Sequence, residues 1–128
     1  MRFARWIFLL AGVYGLVALA PMYFGEAQVG VDSPPPVTHP EFYYGFVGVA
    51  LAFQIVFLII ASNPIRYRPL MLAAVVEKLS FAIAVGILVY LGRTSGQIVI
   101  GAAIDAVLGV LFSVAWFITP RADDRPAA

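Results

Sequence analysis

Four long apolar runs separated by short polar breaks organise the chain. They are "WIFLLAGVYGLVALAPMYF" over about residues 6–24, "FYYGFVGVALAFQIVFLIIA" over about 42–61, "LMLAAVVEKLSFAIAVGILVYL" over about 70–91 and "QIVIGAAIDAVLGVLFSVAWFIT" over about 97–119. Each has the roughly 20 residues that a helix needs to cross a hydrocarbon core of about 30 Å. None alternates apolar and polar positions over about 10 residues, as the strands of a membrane barrel do. A helix satisfies its backbone groups within the segment, so the pattern predicts four transmembrane helices. The longest break, 25–41, reads as a loop, and Pro34, Pro35 and Pro36 favour an extended polyproline stretch there. "SNPIRYRP" is a proline-bounded turn and "GRTSG" a tight polar hairpin, while 120–128 has the composition of a disordered tail.

Composition makes lipid the natural solvent. The 128 residues are 62% hydrophobic and 12% charged, and a soluble fold of one domain could not hide so much apolar surface. A net charge of +1 and the lack of a basic run exclude a nucleic-acid partner. The chain has no cysteine and one histidine, which leaves no disulfide, thiolate nucleophile or His-rich metal site. "MRFAR" followed by an apolar run and "ALA" resembles a signal peptide. The run exceeds the usual apolar region of about 7–15 residues, and Pro21 follows "ALA", so a retained helix is the preferred reading.

The basic residues set an orientation. Arg2, Arg5, Arg66, Arg68, Arg121 and Arg125 fall on one side of the four spans, against Arg93 alone on the other. Basic loops stay inside, so both termini and the "NPIRYRP" turn are expected in the cytoplasm and the 25–41 loop outside. Trp6, Tyr67 and Trp116 would mark the inner interface, and Tyr23, Tyr43, Tyr44 and Tyr90 the outer one. The fold class that follows is all-α, an integral membrane antiparallel four-helix bundle.

Few polar residues interrupt the spans. Tyr14, Gln54, Glu77 and Lys78 each lie seven or eight positions from the inner end of their run, a common depth of roughly 10–12 Å. Adjacent helix positions diverge by about 100°, which makes Glu77 and Lys78 poor partners for each other. Glu77 shares a face with Ala73, Ser80 and Ala84, a small face on which helices approach closely. Lys78 is expected to snorkel to the inner head groups along its stem, with a place in a ligand or proton site as the alternative. Two readings stand for Glu77, Gln54 and Tyr14: a polar layer that glues helices together, or a ligand or proton site. Asp105 lies on the stripe Gly101, Asp105, Gly109, Ser113, a packing face or a cavity lining. Counting depth puts Asp105 nearly 10 Å along the axis from Lys78, so water or Ser80 is its expected partner.

At the outer start of the second span, His39, Glu41, Tyr43 and Tyr44 form a second cluster. Thr38 could cap that helix and Pro40 suits its first turn; the alternative is a shallow outer binding site. No nucleophile with its base, phosphate-binding glycine loop or metal-ligand spacing occurs, so no catalytic residue and no cofactor is assigned.

Four short spans, "NPIRYRP" between the second and third, and "EK" early in the third give the chain a resemblance to small bacterial four-span membrane proteins of the broad DoxX-like kind. The resemblance implies a bacterial cytoplasmic membrane and carries over no functional residue. The expected function is a non-enzymatic bundle that binds a lipidic ligand or a partner subunit. The alternative is a minimal transporter or proton-coupled carrier using Glu77, oligomeric because four short helices enclose little space.

Overall fold

The computed structural model describes residues 2–124. Five helices carry it: α1 (Arg2–Leu19), α2 (Glu26–Asp32), α3 (Pro40–Ser62), α4 (Arg68–Tyr90) and α5 (Gln97–Ile118). Four stretches are long and apolar enough to cross a membrane: Arg2–Phe24, Pro40–Ser62, Arg68–Tyr90 and Gln97–Asp124. No strand occurs among the described residues.

Local chemistry sets the element ends. Pro21 cannot continue the α-helical hydrogen bonding, and α1 tightens into a 3-10 turn over Ala20–Phe24. The loop expected over 25–41 instead contains α2. Glu26 in its first turn suits the helix dipole, and Gln28 Nε2 donates to Asp32 Oδ1 at 2.8 Å, one turn on. The three prolines do not extend as expected. Residues 33–35 bend and Pro36 returns to α2, where a Cβ on Gly30 would lie 3.0 Å from Pro36 Cα.

Pro40 opens α3, but no side chain caps it, so Thr38 does not serve as its cap. α4 starts at Arg68, two residues earlier than the apolar run. Gly92 stops it with φ at 67°, a left-handed conformation open to glycine, and Arg93 N–H donates back to Leu88 O at 2.8 Å. The end of α5 is covered by Arg68, whose Nε donates to Trp116 O at 3.1 Å and Thr119 O at 2.8 Å. The guanidinium also lies 4.3 Å from the centre of the Trp116 ring. Of the tail expected to be disordered, 122–124 form a short turn, and 125–128 lie outside the described residues.

The closest packing pairs α1 with α3 and α4 with α5, and lighter contacts between α1 and α5 and between α3 and α4 join the two hairpins. The tightly packed part lies at one end. Ala4 and Phe8 of α1, Phe57 and Ile60 of α3, Met71 of α4 and Phe112 of α5 are fully buried there. Phe8 stacks on Phe112 at 4.1 Å, and Phe57 meets Phe112 edge-on at 4.9 Å. These residues come from the starts of α1 and α4 and the ends of α3 and α5. Arg2, Arg5, Arg66 and Arg68 flank the same end, here called the basic end. Toward the other end, where α2 lies, buried residues thin out to Val47, Ala50, Val85 and Ala102, and the hairpins leave space between them.

Candidate functional site

That space is a cleft of about 1580 Å³. Its walls are apolar, with Phe46, Val49 and Phe53 from α3 facing Val76 on α4 and Ile98 and Ile104 on α5. Val29, Asp32 and Ser33 of α2 and Thr94 and Ser95 of the α4–α5 loop border its far end. Next to the aromatic core, the lining turns polar with Tyr14, Gln54, Glu77, Lys78 and Asp105.

Lys78 is the centre of the polar group. Its Nζ donates to Asp105 Oδ1 at 3.1 Å and lies 3.4 Å from Glu77 Oε2. The lysine side chain is 8% exposed, and those of Glu77 and Asp105 are 16% and 17% exposed. Nζ also sits 5.3 Å from the centre of the Phe57 ring. The expected snorkelling of Lys78 is therefore wrong, and so is the separation of Lys78 from Asp105. Gly109 explains both. A Cβ there would lie 3.5 Å from Lys78 Cβ, so α5 offers the lysine a flank without a side chain. Asp105 is one turn from Gly109, about 6 Å along the axis, a distance that the lysine stem covers. Counting depth from Cα positions ignored that reach.

Glu77 and Lys78 are close despite their divergence around the helix, with Lys78 Nζ within 3.4 Å of the Glu77 carboxylate while it holds Asp105 on α5. Glu77 Oε2 is buried and has no hydrogen-bond partner among the described residues. The face Ala73, Ser80, Ala84 is exposed rather than packed on another helix. Ser80 Oγ donates to the Glu77 carbonyl at 3.2 Å and not to Asp105.

Gln54 is 1% exposed and donates through Nε2 to Ala50 O at 2.8 Å. Its amide fills a notch over Gly15, where a Cβ would overlap it. Gln54 thus fits α3 to α1 and makes no bond to Glu77. Tyr14 is 50% exposed and makes no side-chain hydrogen bond among the described residues, but it borders the cleft from α1. The four residues of the expected layer do line one cleft, though only Glu77 and Lys78 touch as charges. The stripe on α5 divides: Gly109 packs against Leu79 and Lys78, whereas a Cβ on Gly101 would meet no atom within 4 Å. Ser113 Oγ donates to Gly109 O at 2.8 Å.

The second cluster sits apart from the cleft lining. His39 Nδ1 and Glu41 Oε1 are 3.3 Å apart, with side chains 68% and 65% exposed. Tyr43 OH donates to Met22 O at 2.6 Å, and Tyr44 OH donates to Glu26 Oε2 at 2.8 Å. Tyr23 stacks on Tyr44 at 6.1 Å. The two tyrosines thus tie the end of α1 and the start of α2 to α3, which holds α2 beside the cleft. Among the described residues, no group of three or more His, Cys, Asp or Glu could hold a metal ion.

The pairing of Lys78 with Asp105 and the helix α2 escaped sequence reasoning. The signal for the first was present: Gly109 one turn from Asp105 marks where a neighbouring side chain can pass. No family model matches the chain, and no curated protein and no solved structure matches it.

Proposed function

We propose that the chain is a non-enzymatic four-span membrane protein that holds a lipidic molecule in the cleft between its two hairpins. The observation that carries this reading is the cleft itself, about 1580 Å³ with apolar walls and one buried group of charges at its closed end. Ligand sites are concave, mostly apolar and furnished with a few placed polar groups, and this volume suits an acyl chain with its head group. The helices run antiparallel, and the basic end faces the cytoplasm, because Arg2, Arg5, Arg66, Arg68 and Arg121 share it while Arg93 lies opposite. A bacterial cytoplasmic membrane is the location that the DoxX-like resemblance supplies. Mass spectrometry of lipid retained by protein purified in mild detergent tests the ligand. Gly101→Phe should place a ring in the cleft, since Gly101 lines it and a Cβ there meets nothing within 4 Å. It is expected to lose most of the retained molecule, and equal retention by both proteins would refute the reading.

A second reading, a proton-coupled carrier, has its own support. Ionisable residues within a membrane mark transport and proton paths by default, and Glu77 borders the cleft with an oxygen that no described donor satisfies. Proteoliposome flux abolished by Glu77→Gln would favour the carrier.

A further inference from the structure

Charge and donor supply along the cleft discriminate between head groups, given that the cleft holds an amphiphile as proposed above. Its lining includes one base, Lys78, and three carboxylates, Glu77, Asp105 and Asp32. Lys78 gives its short contact to Asp105 at 3.1 Å, and Glu77 is left at 3.4 Å without a hydrogen bond. Asp32, at the far end, takes its bond from the neutral amide of Gln28. Gln54 adds no donor at that end, since it uses Nε2 on Ala50 O and its Oε1 lies over Gly15 of α1. Glu77 Oε2 is a buried acceptor without a donor among the described residues, which is costly to leave unmet. The N-terminus of α5 would favour an anion, but its influence fades within the first turn, and Asp105 lies eight residues beyond Gln97, about 12 Å away.

We infer that the head group seated beside Glu77 is a protonated amine, so the occupant is an alkylamine-like amphiphile and not a fatty acid or an anionic lipid. An ammonium brings the missing positive charge and N–H donors for the Glu77 carboxylate. A carboxylate or phosphate would add a fourth negative group and leave the Glu77 carboxylate without a donor.

Equilibrium binding of tetradecylamine, tetradecanol and tetradecanoate to the purified protein in an uncharged detergent tests this. Gly101→Phe serves as the reference for uptake by the micelle. The amine is expected to bind about tenfold more tightly than the alcohol, with the carboxylate weakest, the difference of one charge-assisted hydrogen bond. Glu77→Gln should remove the advantage of the amine over the alcohol. Equal affinity of the three probes, each lost in Gly101→Phe, would overturn the amine assignment while the cleft reading stands. No difference between wild type and Gly101→Phe for any probe would overturn the cleft reading as well. If melting shows that Glu77→Gln does not fold, the ranking of the three probes on the unmodified protein decides alone.

Discussion

At Lys78 a single ammonium faces two carboxylates in a site less than one-fifth exposed, with Asp105 at 3.1 Å and Glu77 at 3.4 Å. Removing one member of a buried pair costs about 3–5 kcal/mol, because the remaining charges lose their compensation. Lys78→Met is therefore expected to destabilise the protein by an amount of that order in detergent unfolding. Glu77→Gln should cost far less, since it keeps the shape and lets Lys78 hold Asp105. The double replacement Lys78→Met with Asp105→Leu should recover part of the loss. A Lys78→Met protein as stable as Glu77→Gln would mean that the lysine is not the buried hub. Part of this site is legible by counting: regular helical rise groups Gln54, Glu77 and Lys78, and all three border the cleft. The direction of Lys78 was not legible. Its stem is long and flexible, and the gap it follows belongs to Gly109 on another helix.

Two glycines on α5 make opposite predictions at the scale of the helix pair. A Cβ on Gly109 would overlap Leu79, but a Cβ on Gly101 would meet nothing within 4 Å. Gly109→Leu is expected to lower the melting temperature, since overpacking costs about 1–3 kcal/mol. Gly101→Leu should be neutral or stabilising, because glycine within a helix costs roughly 1 kcal/mol relative to a good helix former. Equal effects from both would mean that α4 and α5 do not meet along this seam. The same physics applies between α1 and α3, where Gly15→Ala should push the Gln54 amide out of its notch. The four long helices were legible because span length is set by bilayer thickness. α2 was not, because its seven residues lie between glycine and prolines, whose signals describe turns, and Tyr44 reaching Glu26 from α3 holds it in place.

For the whole molecule, the two hairpins meet tightly at the basic end and part toward α2, and the proposed topology turns that opening outward. The chain has no cysteine, so single-cysteine variants report cleanly. Ser33→Cys should react with an impermeant thiol reagent on intact cells, and Ser62→Cys only after the inner side is opened. The reverse pattern would invert the topology, and labelling of both on intact cells would break the antiparallel arrangement. The central claim, a lipidic occupant of the cleft, is tested most directly by a photoreactive residue placed on α5 in native membranes. Ile104 lines the cleft, and Val107, three positions on, is 59% exposed on the outer surface of the bundle. At Ile104 the account predicts a cross-link to one discrete species, distinct from the mixture of bulk lipids captured at Val107. The same bulk mixture at both positions would contradict it.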